Sequence, residues 1–224
     1  MSSRNRFLDS SVGSKFLIGA TGFLLVLYLL IHIGGNLMVF GGRDFFNAYA
    51  HTLASNPLLP LIELALLLVF LFHIYRTIKM FAGNKAARPV AYAVKKPAGH
   101  TSRKSLASTT MIVSGLWLVL FLVVHVKAFR FGAHYPLADG SNDLFRVEME
   151  ALRNPLIVLF YVLSMVVVGS HLYHGVASSL QSLGLSHPRW TPRFLAVGKG
   201  LAAAIAAGFI AIALWAYSIG QGAL

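Results

Sequence analysis

The chain of 224 residues contains no cysteine. Disulfides, thiolate metal sites, iron–sulfur ligand sets and the Cys-x-x-Cys-His motif for covalent haem attachment are therefore all excluded. Charged residues are also scarce, at 12% of the chain compared with about 25% in soluble globular domains. Acidic residues number only 7, against 19 Lys and Arg. This composition excludes the soluble globular, disordered and secreted disulfide-rich classes.

The chain instead contains long apolar segments. Hydrophobic residues make up 57% of the chain, and its mean hydropathy is +0.70. A membrane-spanning helix needs roughly 20 apolar residues. The sequence therefore predicts an all-α integral membrane protein, with residues 1–224 as a single membrane domain. We predict five transmembrane helices, over about residues 15–40, 57–80, 105–129, 155–180 and 194–220.

Basic residues are distributed unevenly between the predicted loops. Segments 1–15, 76–104 and 181–199 together hold 14 Lys and Arg, whereas loops 41–56 and 127–154 hold 5. The positive-inside rule then predicts a cytoplasmic N-terminus and a C-terminus outside. Because topology and anionic lipid explain a basic surface beside five spans, we expect no nucleic-acid partner.

Local signals mark the ends and faces of these helices. Asn-Pro pairs at 56–57 and 154–155 predict the starts of the second and fourth spans. In the fifth span, Gly200, Ala204 and Gly208 follow one another at four-residue spacing. Small residues on one helix face favour close approach of a neighbouring backbone.

Each of the first four predicted spans contains histidine: His32, His73, His125 and His171. Ionisable residues inside a membrane are costly and mark function by default, although a histidine hydrogen-bonded between helices is the alternative. Measured along the helices at about 1.5 Å per residue, His32 and His125 lie toward the outside and form what we call the outer pair. His73 and His171 lie toward the cytoplasm and form the inner pair.

Each pair has the donor set for one haem. An iron with two axial ligands needs one imidazole on each face of the macrocycle, from facing helices at similar depth. The two pairs differ in depth by about 15 to 20 Å, which predicts two b-type haems stacked across the membrane. A zinc site fits less well, because ligands at two depths cannot meet one tetrahedral ion. His174 lies on the same helix face as His171 and is the competing inner ligand.

These histidines and their neighbours resemble the five-helix, di-haem cytochrome b subunit of succinate:quinone oxidoreductases and fumarate reductases. The resemblance covers essentially the whole chain and lies in LLIH at 29–32, LFH at 71–73, VVHV at 123–126, SHLYHG at 170–175 and FNxxAH at 46–51. It implies that His32 and His125 hold the outer haem and that His73 and His171 hold the inner one. A relative can carry Asn at the position of His174, which supports His171 as the ligand.

The resemblance also implies partners and a location. The chain would anchor an iron–sulfur subunit and a flavoprotein on the cytoplasmic side of a bacterial cytoplasmic membrane. It would exchange electrons with a membrane quinone, usually menaquinone in the di-haem type. The basic segment 76–104 then has two readings, as a dock for the iron–sulfur subunit or as a surface attracted to anionic lipid.

Five residues are candidates beside the predicted electron path. Glu63 is the one carboxylate inside a predicted span, where it could move the proton that accompanies quinone chemistry, or could be a solvated interfacial acid. Arg76, Lys127 and Arg130 lie where haem propionates would point, although snorkelling to the headgroups would also explain them. His174 could make a similar contact, either to a propionate or to a ligand.

Three other readings remain open. A di-haem b subunit of another quinone-linked enzyme, such as a formate dehydrogenase or hydrogenase, would also bind haem. A transporter with a histidine proton relay would not, but it would normally carry broken helices or acidic partners. A structural membrane scaffold would leave the four histidines unexplained. One histidine ligand in each of the first four helices favours the succinate or fumarate type.

Overall fold

The computed structural model describes residues 7–8, 10–88, 90 and 105–220. These residues form helices and no β-strand, apart from an isolated bridge between Pro136 and Asn142. The helices are α1 (Ser11–Asn36), α2 (Arg43–Ala54), α3 (Leu59–Ala86), α4 (Leu106–Thr109), α5 (Met111–Phe129), α6 (Leu144–Ala151), α7 (Pro155–Ser182) and α8 (Thr191–Gly220). A 3₁₀ turn, Leu37–Gly41, continues α1 until Gly42, whose positive φ of 89° ends it.

Five helices are long and apolar enough to span a membrane: α1 with its 3₁₀ extension, α3, α5, α7 and α8. The predicted all-α fold with five candidate spans is confirmed, and it indicates a multi-pass membrane protein. The loops between the first and second spans and between the third and fourth contain the short helices α2 and α6, which were not predicted. The basic connector is only partly described, because residues 89 and 91–104 lie outside the described residues.

The predicted boundaries differ from the observed ones where capping decides them. Helix α7 begins at Pro155 as predicted, with Asn154 Oδ1 accepting a 2.8 Å hydrogen bond from Leu156 N. The third span begins at Met111 rather than at 105, because Ser105 and Ser108 form a capping box that starts the separate helix α4. Helix α3 continues six residues past its predicted end at 80, since its own backbone hydrogen bonds carry it through Gly83 to Ala86.

Helix α7 lies at the centre of the bundle, where it packs against α1, α5 and α8. Helix α1 also packs against α3, but α3 and α5 make few contacts with each other. Among the described residues, α3 buries Arg76 alone and α5 buries Ser114 alone, whereas α7 buries eight. The side of the bundle formed by α3 and α5 is therefore loosely packed by protein atoms.

The close contact between α7 and α8 uses a different face of α8 from the one predicted. A Cβ atom added to Gly198 would lie only 2.8 Å from Val176 Cγ1, so this glycine permits the approach. Gly208 does pack against α1, but Gly200 has open space beside it and Ala204 is exposed. The predicted stripe was thus wrong in part, because α8 is rich in small residues on several faces.

Candidate functional site: two pairs of histidines

The outer pair joins α1 to α5. The ring centroids of His32 and His125 lie 5.8 Å apart, and the rings are perpendicular. Each ring also stacks on the aromatic side chain one helical turn earlier, His32 on Tyr28 at 5.3 Å and His125 on Phe121 at 5.4 Å. These contacts hold both imidazoles inside the bundle at one depth.

The spacing of the outer pair fits a metal centre with two imidazole ligands. Two metal–nitrogen bonds of about 2.0 Å, together with the distance from each nitrogen to its ring centre, put the centroids about 6 Å apart. The observed 5.8 Å is close to this value. The geometry of His32 and His125 is therefore compatible with a bis-histidine haem.

Ring nitrogens of the outer pair lack acceptors. His125 Nδ1 is buried and has no hydrogen-bond partner. His32 Nδ1 lies 3.4 Å from the amide nitrogen of Asn36, but that amide donates its better bond, at 2.8 Å, to the backbone carbonyl of His32. Buried polar atoms without partners are rare in proteins. The orphaned nitrogen of His125 is the kind of atom that a bound group with its own polar atoms or waters would satisfy.

The inner pair lies between α3 and α7, and each of its rings contacts a hydroxyl from another helix. His73 Nδ1 lies 2.9 Å from Thr21 Oγ1 of α1, and His171 Nδ1 lies 2.9 Å from Ser114 Oγ of α5. The helices that carry the outer pair thus also position the inner pair.

Glycines face both rings of the inner pair. A Cβ atom added to Gly22 would lie 3.3 Å from His73 Cε1, and one added to Gly115 would lie 3.7 Å from His171 Cε1. Beside Thr21, an open apolar groove of about 520 Å³ runs between α1 and α3. The glycines thus leave room beside each inner imidazole, and the apolar groove lies next to the hydroxyl residue that contacts His73.

The sequence analysis did not identify the hydroxyl residues Thr21 and Ser114 or the glycines Gly22 and Gly115 as neighbours of the inner histidines. An internal repeat could have identified them. In both α1 and α5, a hydroxyl residue lies eleven residues before the outer histidine and a glycine lies ten residues before it. The Asn-Pro pairs at 56–57 and 154–155 also lie at equal distances from the inner histidines that follow them. The matched segments are TGFLLVLYLLIH at 21–32 and SGLWLVLFLVVH at 114–125. The repeat predicts that Thr21 and Ser114 have equivalent roles, as their contacts indicate.

Arg76 lies one turn after His73 and is buried, with 6% of its surface exposed. Its guanidinium donates hydrogen bonds to the backbone carbonyl of Leu8 and, at 3.0 Å, to Ser14 Oγ. Its Nε is buried without a partner. Both of these partners are neutral oxygen atoms, so among the described residues no hydrogen bond or ion pair joins this buried guanidinium to a carboxylate.

The other predicted site residues lie apart from the rings. Glu63 forms an ion pair of 3.0 Å with Arg130, in which 42% of the Glu63 side chain and 60% of the Arg130 side chain are exposed. Lys127 is exposed at the end of α5. His174 is half-buried, one turn after His171, and interacts with it electrostatically.

A buried carboxylate joins the loops at the outer-pair end of the bundle, and sequence reasoning did not find it. Asp143, 1% exposed, accepts hydrogen bonds from Arg43 and from Asn47 Nδ2, the latter at 2.7 Å. It also caps α6 through the backbone N–H of Arg146 at 3.1 Å. Burial alone would raise the pKa of Asp143, but these hydrogen bonds hold it below its ordinary value.

A second buried carboxyl, Glu148, lies on α6 beside Tyr161. Burial raises the pKa of Glu148 to about 7. The hydroxyl of Tyr161 is buried without a hydrogen-bond partner. The Glu148 carboxyl on α6 and the Tyr161 hydroxyl on α7 are therefore both largely removed from water.

No group of three or more His, Asp or Glu side chains converges on one point within the described residues. This arrangement favours centres with two protein ligands over tetrahedral zinc sites, which need three or four. Comparison of the chain with models of known protein families, with curated proteins and with solved structures gave no match.

Proposed function

We propose that this chain is the di-haem cytochrome b membrane anchor of a succinate dehydrogenase or fumarate reductase. It would carry electrons between an iron–sulfur subunit and a membrane quinone through two bis-histidine b haems, and it would have no dicarboxylate site of its own. The observation that carries the proposal is the contact of the His32 and His125 rings, whose centroids lie 5.8 Å apart. The second histidine pair, His73 and His171, contacts the same two helices through hydroxyl groups.

The residues at the inner pair fit a haem as well. His73 and His171 supply the two ligand nitrogens, and glycines keep the adjacent helix surfaces free of side chains. Arg76 offers a buried cation with an unpartnered Nε, which suits a propionate. When bound, a haem supplies reversible one-electron transfer, and the protein contributes ligands, orientation and a low dielectric around it.

Quinone chemistry needs a proton donor and acceptor that the lipid phase can reach. Glu63 lies near the N-terminal end of α3, and 42% of its side chain is exposed. Arg130 orients this carboxylate through a 3.0 Å ion pair. We assign Glu63 to quinone-linked proton transfer on this basis, with menaquinone as the expected quinone.

The orientation that we propose for the chain in the membrane follows from its basic segments. The N-terminus and the connector 76–104 would face the cytoplasm, where an iron–sulfur subunit and a flavoprotein subunit would bind. The C-terminus would lie outside a bacterial cytoplasmic membrane. The inner pair then faces the partner subunits, and the outer pair faces the opposite side.

A reduced-minus-oxidised spectrum tests the proposal. The full chain would be purified by a C-terminal tag from membranes of its native host, and haem would be counted by the pyridine haemochrome assay. We expect two b haems per chain, together with an iron–sulfur and a flavin-containing subunit in the same complex. Absence of haem from the intact complex would overturn the proposal in favour of the transporter. Two haems with a formate-oxidising or hydrogen-oxidising partner would overturn the assignment to succinate or fumarate.

A further inference from the structure

Each hydroxyl group that contacts the inner pair also has a backbone carbonyl within reach to accept its proton. Thr21 Oγ1 lies 2.8 Å from the carbonyl of Leu17, to which it donates its single proton. Ser114 Oγ donates in the same way to the carbonyl of Met111 at 3.0 Å. A hydroxyl has one proton and two lone pairs, so each oxygen retains a lone pair for the ring.

With the hydroxyl protons bonded to the helix backbone, the ring nitrogens would be the donors in these contacts. His73 Nδ1 and His171 Nδ1 each lie 2.9 Å from the hydroxyl oxygen. In a neutral imidazole the other nitrogen, Nε2, is then the one with a free lone pair. In this tautomer, Nε2 is the nitrogen of both inner histidines that can bind a metal.

The outer pair has no such arrangement. His125 Nδ1 is buried without a partner, and the amide nitrogen near His32 Nδ1 is a donor that is already bonded to a backbone carbonyl. The same helices, α1 and α5, carry the outer histidines and the hydroxyls for the inner ones. The hydroxyl contacts therefore distinguish the inner site from the outer site.

We propose that Thr21 and Ser114 are positioning residues that fix the inner histidines as Nδ1–H tautomers and tune the inner haem. This inference rests on the proposed function. A ligand imidazole that donates its Nδ1–H to an oxygen is a more basic ligand, and it is held in one ring orientation. Greater basicity stabilises ferric iron, so the hydroxyls lower the reduction potential of the inner haem relative to the same site without them.

Substitutions that delete only the acceptor test the proposal in the purified full complex. Thr21→Val and Ser114→Ala remove the lone pairs, whereas Thr21→Ser and Ser114→Thr keep them. Thr77→Val is a matched control for His73, because Thr77 Oγ1 bonds the backbone carbonyl of that histidine at 2.8 Å and not its ring. Ser179→Ala is a control for α7, where Ser179 Oγ bonds the carbonyl of Val176.

Redox titration and haem counting are the readouts. We expect Thr21→Val and Ser114→Ala to raise the midpoint potential of the inner haem and to weaken its retention by about 10- to 100-fold. The inner haem is identified as the component that His73→Ala removes. Thr21→Ser, Ser114→Thr and both controls should match the wild type. Unchanged potential and retention in both Thr21→Val and Ser114→Ala would overturn the proposal while leaving the di-haem function intact.

A second measurement does not depend on haem. In chain purified from a haem-deficient host, ¹⁵N NMR of labelled histidine reports which ring nitrogen carries the proton. We expect Nδ1–H at His73 and His171 in the wild type, and a mixture of tautomers in Thr21→Val and Ser114→Ala. Nε2–H at both positions in the wild type would overturn the inference. If the native complex contains no haem, the proposed function fails and the NMR result alone decides the hydrogen-bond inference.

Discussion

The ring centroids of His32 and His125 lie 5.8 Å apart between α1 and α5, whereas the inner histidines contact the same two helices through the hydroxyls of Thr21 and Ser114. The two pairs share helices, but no ring of one pair contacts a ring of the other among the described residues. A binding site built on one pair does not need the other pair to be intact. This separation makes each site removable on its own.

Single histidine substitutions should remove one haem each. We expect His125→Ala to retain one b haem per chain, with the outer potential missing, and His73→Ala to retain one with the inner potential missing. The measurement is a pyridine haemochrome count combined with a redox titration. His51→Ala, an exposed histidine on α2, is the control and should keep both haems. Loss of both haems from one substitution would contradict two separable sites.

The choice between His171 and His174 can be tested in the same way. Ser114 Oγ lies 2.9 Å from His171 Nδ1, so the hydroxyl contact that we propose to position a ligand belongs to that residue. We expect His174→Asn to keep both haems and His171→Asn to lose the inner one. The opposite result, with the inner haem lost only from His174→Asn, would identify His174 as the ligand instead of His171.

The spans and the depth of the histidines could be predicted because both depend on patterns along one helix. Charge-free segments and the positions of His32 and His125 need no knowledge of neighbouring helices. The meeting of these two rings is now observed, and their role as haem ligands stays a prediction. The contacts of Thr21 and Ser114 depend on which helices are neighbours, although the repeat of the two halves carries a signal for them.

Other features could not be predicted because they depend on tertiary contacts. Helices α2 and α6 are short, and their positions depend on Asp143, whose carboxylate binds Asn47 and Arg43 from the other loop. The face that α8 turns to α7 was also misjudged. Gly198 and Gly200 are equally small, and only the position of Val176 on α7 selects between them.

Removal of the Asp143 carboxylate should destabilise the loops at the outer-pair end. Asp143→Ala leaves Asn47 Nδ2 and the first turn of α6 without their acceptor, at a cost of about 1–3 kcal/mol. Thermal unfolding in detergent would measure the loss. The pKa of Asp143 is lowered in the fold, so its contribution is present above the ordinary value of 3.8 and is lost as the pH falls through the lowered pKa.

The control for Asp143 is Asp139→Ala, which removes an acid from the same loop whose bonds are confined to Ser141. We expect little change in unfolding temperature from that substitution. Equal unfolding temperatures for Asp143→Ala and Asp139→Ala would contradict the assigned role of the buried carboxylate.

Glu148 should give the opposite pH dependence at higher pH. Burial raises its pKa from 4.5 to about 7, so between these values the unfolded chain loses a proton that the folded chain keeps. Stability contributed by this group therefore decreases as the pH rises from 4.5 to 7, by about 3 kcal/mol in all, and stays constant above. Glu148→Gln should abolish this decrease in pH-dependent unfolding curves. A wild-type slope that persists in Glu148→Gln would show that another group is responsible.

Glu63 should matter for quinone turnover and little for folding. The ion pair with Arg130 is exposed on both sides, so breaking it should cost less than about 1 kcal/mol. If Glu63 transfers the quinone-linked proton, Glu63→Gln should lower quinone turnover by about 10²-fold or more, with haem content and potentials unchanged. Arg130→Gln breaks the same ion pair but keeps the carboxylate, and it should retain most of the turnover. Equal losses in the two variants would mean that orientation by the ion pair, rather than proton transfer by Glu63, supports the reaction.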